Sequence, residues 1–429
     1  MEKLNEDFII NLSNNKGEPL WMKNFRLNSY KKFLELDNPS FGPKINIDFD
    51  NLVYHKGLFA PPSCSWENVD KKVKNTFNDL GVIDAENKYL KGVSNQYESE
   101  VVYHKMEESD GIIFLSTDEA LKKYPELFEK YFNNLVKYDE NKYTALNGAL
   151  WSGGSFIYIP PYTKVDRPLQ SYFRIDTKNL GQFERTIIIV DHDSSLHYIE
   201  GCTAKNYSTT SLHAGVVEIY VGKNSTCKYS TIQNWSKDVY NLVTKRAILE
   251  EGAYMQWVDG NIGSGVTMKY PSCRLKGDNS QASSISIAYA KEGQHLDAGA
   301  KMIHLGKNTK STIISKSIAG FGGTSDYRGT VKIAKDATGS FATIKCDNII
   351  LDNISSSNTY PKNIVENNES TLEHEATISK INEEKLNYLM SLGISEDAAK
   401  DLYVLGFMSD FKKSLPMEYA VELNRLIKE

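Results

Sequence analysis

Between residues 21 and 36 the apolar side chains Met22, Phe25, Tyr30, Phe33 and Leu34 cluster near one face of a helix. Further on, Ser116 and Glu119 have capping-box spacing ahead of Ala120, Leu121, Tyr124, Leu127 and Phe128, and Pro125 kinks or breaks the helix they begin. Residues 1–144 therefore read as a mainly helical region. From 145 to 352 helix-length amphipathic runs give way to short β-rich stretches, among them 185–190, 216–221, 283–288, 310–315 and 329–333. Gly222, Gly252, Gly277, Gly306 and Asp336 mark the turns between them, at intervals of 30, 25, 29 and 30 residues. A loose repeat of that length fits a β-solenoid, whose coils bury their apolar faces only by stacking; a β-sandwich with irregular hairpins fits the same strands.

Residues 353–429 return to a helical pattern. Asn382 caps a segment ending at Gly393, Ser395 caps the next, ending at Gly406, and 417–427 carries Tyr419, Ala420, Leu423 and Leu426 on one face. Such helices either close the end of a solenoid or dock a partner.

Composition narrows the class. The chain of 429 residues is 40% hydrophobic and 24% charged with a net charge of -5, the balance of a soluble globular protein and not of a nucleic-acid binder. Apolar runs such as 186–190 are too short to cross a bilayer, and Met1-Glu2-Lys3 opens no apolar signal core, so a cytoplasmic protein is expected. The five cysteines, at 64, 202, 227, 273 and 346, form no CxxC pair, which argues against a disulfide framework and a self-contained zinc finger. Any metal or redox role needs other donors or a second chain.

Two places carry candidate chemistry. Cys346 ends an expected strand, and Glu373-His374-Glu375 follows it; thiolate, imidazole and carboxylate together form a donor set for iron. By themselves these residues fit equally a buried small side chain and the solvated start of a helix. Cys202, expected at a turn after strand 196–199, is either a sulfur acceptor or a packed turn cysteine. Cys227 and Cys273 read as core residues. Residues 305–312 imitate a phosphate loop, but Lys301 replaces the first glycine and Asn308 the hydroxyl residue. His213 and His304 fit internal hydrogen bonding better than metal binding.

Segments 4–7, 21–27, 154–160, 181–186, 200–204, 233–235, 269–272, 301–316, 327–329, 346–347, 372–376 and 393–397 together closely resemble the SufB/SufD family of iron–sulfur cluster assembly proteins. The Cys202, Cys346 and Leu372–Ala376 combination is similar to its SufB branch. The resemblance implies a mainly β fold, a right-handed parallel β-helix core flanked by N-terminal and C-terminal helical regions. It implies a non-catalytic scaffold for de novo cluster assembly, with ATP hydrolysis in a partner ABC-type ATPase, SufC, docked on the C-terminal helices. SufD or a second SufB copy is implied as partner through the β-helix, and SufE or SufU with a cysteine desulfurase as sulfur source. On this resemblance Cys202 accepts persulfide sulfur, Arg174, Gln233, Trp235 and Lys245 line the sulfur path, and Cys346 and Glu375, with His374 and Glu373, hold a transient iron–sulfur cluster. Cationic Arg174 and Lys245 suit a thiolate or persulfide anion in a low-dielectric channel. A reduced flavin is also implied, without a motif that assigns residues to it. The chain departs from many relatives in lacking an N-terminal cysteine cluster, in reading Ser355-Ser356-Ser357 where another cysteine is common, and in placing Asp176 where Asn is expected. A SufD-like structural subunit, which docks the ATPase without holding the cluster, is the alternative.

Overall fold

The computed structural model describes residues 3–57, 59–80, 82–107, 111–205, 210–409 and 411. From Val216 onward the chain alternates between two sheets, the passage after Gly263 being split into Val266–Lys269 and Ser272–Leu275, and like strands of successive coils pair in parallel. Thr226 pairs with Tyr254, Tyr254 with Gln281, Gln281 with Lys310, Lys310 with Phe341 and Phe341 with Thr371, so a coil takes 27 to 31 residues. This is a parallel β-helix; the sandwich reading is excluded because the core ladders are parallel, whereas hairpins pair antiparallel. Among the described residues the two sheets contain ten and twelve strands.

The recurrent turn signature has a steric cause. At three corners an asparagine takes the left-handed conformation, Asn224, Asn279 and Asn308 having φ of 54°, 61° and 55°. The glycine two residues earlier is where stacked corners touch. A Cβ on Gly277 would lie 2.0 Å from the Glu251 nitrogen of the adjacent coil, and one on Gly306 would lie 2.6 Å from Gly277 itself. Gly306-Lys307-Asn308 is thus a β-helix corner and not a phosphate loop. Corner hydroxyls reinforce the stack: the Thr309 N–H donates to Ser340 (3.2 Å) and the Ser340 N–H to Ser370 (3.1 Å).

Several boundaries differ from the sequence pattern. Lys142–Leu150 is a helix, capped by the Asn141 side chain, that runs across the expected boundary into the stretch expected to be β from 145; nearly all of it is buried, so it shows no amphipathic stripe to read. Beyond 352 the β-helix adds another coil, Ser356–Val365 and Thr371–Lys380, before helices Glu383–Ser391 and Glu396–Phe407 begin. Among the described residues no coil lies beyond these last strands, and their polar, exposed side chains resemble a solvated helix in composition. The expected caps Ser116, Asn382 and Ser395 all accept backbone N–H groups, and Pro125 starts a new helix. The segment 417–427 lies outside the described residues.

The helical N-terminal part is fastened to the β-helix by a buried carboxylate. Glu218 accepts the Arg185 guanidinium (2.9 Å) and the backbone N–H groups of Asn133, Leu135 and Val136 at 3.0, 2.7 and 3.0 Å. At the other end Val404, Met408 and Phe411 cover outward-facing Ile232, Val258, Ile287, Ile318 and Ile349 of the ten-stranded sheet. Glu218→Ala should cost about 3–5 kcal/mol by leaving Arg185 buried and unpaired. Denaturant titration checks this, and a loss below about 1 kcal/mol, the size of a surface pair, would show that the clamp contributes little.

Candidate functional site

Strand alternation sends every second side chain of the ten-stranded sheet into the lumen, and parallel register stacks these side chains in rows. One row runs Glu200, Thr231, Asp259, Ser286, Ser315, Cys346, each directly opposite the next. The neighbouring row runs Cys202, Gln233, Asn261, Ala288, Ser317, Asn348. All twelve side chains are buried. Eleven of them, all but Ala288, carry a polar or sulfur atom, so a polar seam joins Cys202 to the neighbourhood of Cys346 over five strand spacings, about 24 Å at ~4.8 Å each.

Charged groups from the facing sheet complete its first half. Lys245 Nζ lies 3.2 Å from Glu200 Oε1 and over the Tyr229 ring at 4.4 Å, while the Tyr229 hydroxyl donates to Glu200 Oε2. Cys202 Sγ is 3.8 Å from Glu200 Oε1. Lys269 Nζ bridges Asp259 (2.9 Å) and Gln233 Oε1 (3.1 Å), and the same oxygen accepts from Asn241 (2.7 Å). Asn241 then meets His213 Nδ1 at 2.8 Å, and His213 Nε2 lies 2.8 Å from Glu184. Trp235 packs its ring 4.7 Å from that of His213.

These surroundings set the ionisation. Burial, then Glu200 and Glu184, push the Cys202 thiol well above its ordinary value. Burial opposes ionisation of Glu200, yet Lys245 and the Tyr229 hydroxyl hold it below the usual carboxylate range. Burial likewise works against charge on His213, but Glu184 raises it above an ordinary imidazole. At the far end burial pushes Cys346 up to about 12, with the Tyr327 hydroxyl beside it pulling the other way. Several lumen atoms make no hydrogen bond to the protein: Gln233 Nε2, Asp259 Oδ2, Asn261 Oδ1 and both side-chain polar atoms of Asn348. Buried polar atoms are rarely left so.

The structure thus brings Cys202, Gln233 and Lys245 into one network and sets Trp235 at its margin. Arg174 does not join them. It lies opposite Thr203, one position past the Phe173–Cys202 pair, and therefore faces away from the lumen, bound to Asp176 (2.7 Å) and Thr203 (3.1 Å). Asp176 is accordingly neutralised outside the seam. Cys202 sits within strand Ser195–Ala204 and not at a turn, and Cys346 within Phe341–Ile350 and not at a strand end.

Glu373-His374-Glu375 lies on a strand, where alternation splits it. His374 is opposite lumen-facing Ile344; its Nδ1 meets Asn363 at 3.0 Å, and its buried Nε2 has no partner. Glu375 is opposite Lys345, 3.8 Å from its ammonium and 66% exposed, on the other face from Cys346; Glu373 shares that outer face. Among the described residues no group of three or more His, Cys, Asp or Glu is arranged to hold a metal ion. Sequence reading missed Glu184, Glu200, Asn241, Asp259 and Lys269 as members of the network. Their signal was present: Glu200, Thr231, Asp259, Ser286, Ser315 and Cys346 recur at 31, 28, 27, 29 and 31 residues, the length of a coil.

Fold and site define a class, a parallel β-helix with two buried thiols joined by an internal polar seam. The chain belongs to the SufBD family of iron–sulfur cluster assembly proteins. Residues 173–407 match the family described as "SUF system FeS cluster assembly, SufBD core domain", and residues 69–171 match "SufBD protein N-terminal region". The chain is 52% identical to the iron–sulfur cluster assembly protein SufB of Bacillus subtilis, over 99% of this chain and 92% of that one. It is 54% identical, over the same shares, to iron–sulfur cluster assembly SufBD family proteins of Staphylococcus saprophyticus and Staphylococcus aureus.

Cys64 is exposed, whereas Cys202, Cys227, Cys273 and Cys346 are buried and free. Titration of the native protein with a coloured disulfide reagent should therefore show one fast thiol and four more on unfolding. Two or more fast thiols would mean that the seam opens readily to solvent.

Proposed function

We propose that the chain is the scaffold on which an iron–sulfur cluster is built, with Cys202 taking up sulfur, the seam passing it along the lumen and Cys346 receiving it where the cluster forms. The observation that supports this most is the unbroken polar row from Glu200 to Cys346, with unpartnered polar atoms beside it, in a core that could otherwise have been apolar. A bound sulfane anion is matched by the seam's cations, Lys245 and Lys269, at the loading end. The hydroxyls of Ser286 and Ser315, 3.2 Å apart, continue the path. The cluster itself is cargo. Iron–sulfur clusters take about four protein ligands, and Cys346 and His374 supply two lumen-facing donors here. Glu375 and Glu373 stand on the exposed terminal strand, so a closed ligand set requires that strand to adjust or another chain to contribute.

The last coil supports the second requirement. Its strand edges, unpaired among the described residues, and exposed Ile354, Tyr360, Val365 and Ile378 fit a partner β-helix, SufD or a second copy of this chain. Helices Glu383–Ser391 and Glu396–Phe407 expose Tyr388, Leu392 and Leu402, a surface for the ATPase SufC. SufE or SufU with a cysteine desulfurase then supplies the sulfur. A reduced flavin belongs to the same reading as an electron source, and no residue of this chain is assigned to it. Five free cysteines suit the reducing cytoplasm.

Anaerobic loading of the complex with iron and sulfide should give the visible absorption of a cluster. Cys346→Ser should abolish it and Glu375→Ala weaken it severalfold; full loading in both variants would favour the SufD-like reading. Ser315→Val should leave loading from free sulfide intact while stopping delivery from a persulfide on Cys202. Undiminished delivery in that variant would remove the seam from the route.

A further inference from the structure

We propose that Glu200 controls the proton of Cys202: its carboxylate holds the thiol and the Lys245 ammonium together, and takes the thiol proton as Cys202 bonds to incoming sulfur. The proposal rests on the reading of Cys202 as the sulfur acceptor, and assigns to that step a group not so far given a part in it.

Glu200 and Cys202 are two residues apart on strand Ser195–Ala204, so both face the lumen. Glu200 Oε1 collects Cys202 Sγ at 3.8 Å, Lys245 Nζ at 3.2 Å and Thr231 Oγ1 at 3.5 Å, while Tyr229 occupies Oε2. Around them the titratable groups are Glu184 and His213 from the facing sheet, Lys269 further along it, and Tyr198 on the same strand. Acids and bases pair one to one: Glu200 with Lys245, Asp259 with Lys269, Glu184 with His213. With His213 protonated the set is neutral, and a thiolate on Cys202 would add an uncompensated charge to a wholly buried site. Bond formation at Cys202 therefore has to hand its proton over, and Glu200 is the acceptor in contact.

The step balances without an oxidant. The Cys202 sulfur attacks the outer sulfur of a persulfide donor R–S–SH; a new S–S bond forms and the donor's S–S bond breaks, its electron pair leaving on the donor sulfur. The Cys202 proton passes to Glu200 Oε1 and on to the departing thiolate. The products are Cys202–S–SH and R–SH, and Glu200 is again a carboxylate paired with Lys245. While Glu200 carries the proton, the released Lys245 ammonium faces the sulfurs.

Alkylation of Cys202 by iodoacetamide, followed by peptide mass spectrometry across a pH series, tests the charge arrangement. Glu200→Gln leaves Lys245 unneutralised and should lower the midpoint by about one pH unit or more. Lys245→Met should raise it, and the double variant should return toward the unaltered protein. An unmoved midpoint in Glu200→Gln, or shifts of the same sign in both single variants, would overturn the proposal; a structural disturbance alone alters rates at every pH without moving the midpoint. The proton hand-over has its own readout. With glutathione persulfide as donor, the ratio of sulfur transfer to alkylation at neutral pH should fall about tenfold in Glu200→Gln, the factor carried by one pH unit. An unchanged ratio would remove Glu200 from the transfer step. Failure of glutathione persulfide to add sulfur to Cys202 in the unaltered protein would instead overturn the acceptor reading and leave the titration result standing.

Discussion

The parallel register between coils decides which side chains meet in this protein. A strand that slipped by one residue would turn its lumen side chains to the outside, so the pairing of Thr226 with Tyr254 and its successors fixes everything built on it. The corners hold that register. Gly277 and Gly306 let backbone lie on backbone, and the asparagines at 279 and 308 take the left-handed turn next to them. Inward positions then form the seam, while outward Ile232, Val258, Ile287, Ile318 and Ile349 form the apolar strip that the C-terminal helices cover.

Two kinds of buried charge can be compared within the one molecule. Glu218 has four donors and closes a structural joint completely. The seam pairs Glu200 with Lys245 and Asp259 with Lys269 but leaves Gln233, Asp259, Asn261 and Asn348 with unpartnered atoms. Buried ion pairs contribute little net stability over well-packed apolar residues, and unpartnered polar atoms subtract from it. A seam of this composition is therefore poor as a stabilising device and well suited to passing a small polar cargo. Burial raises both terminal thiols, and at Cys202 the carboxylates of Glu200 and Glu184 add to it.

The far end of the β-helix is unfinished in a specific way. Cys346 lies one strand inside the terminal strand Thr371–Lys380, which brings His374 to the lumen and presents Glu373 and Glu375 outward. Pro361 in the other terminal strand suits an edge, since it cannot donate to a ladder. On the proposed reading, the site where a cluster is built and the surface that meets another chain are the same coil. A labile, incompletely ligated cluster at such a junction can be released, which a closed four-thiolate cage would resist.

Much of this was legible in the chain. The corner signatures, the strand runs 185–190 and 216–221 and the helix caps Asn382 and Ser395 depend on local sterics and hydrogen bonds, which a sequence carries directly. Helix Lys142–Leu150 was hidden because burial on all sides erases periodicity, and the final coil because exposure leaves strands without an apolar face. The sequence by itself determined the repeat, the thiols and the charged residues that could serve them. Only the tertiary structure decided that Cys202, Glu200, Lys245 and Lys269 meet while Arg174 and Glu375 turn away. Which face a strand residue occupies depends on pairing with strands some thirty residues distant, and a one-residue difference in that pairing reverses it.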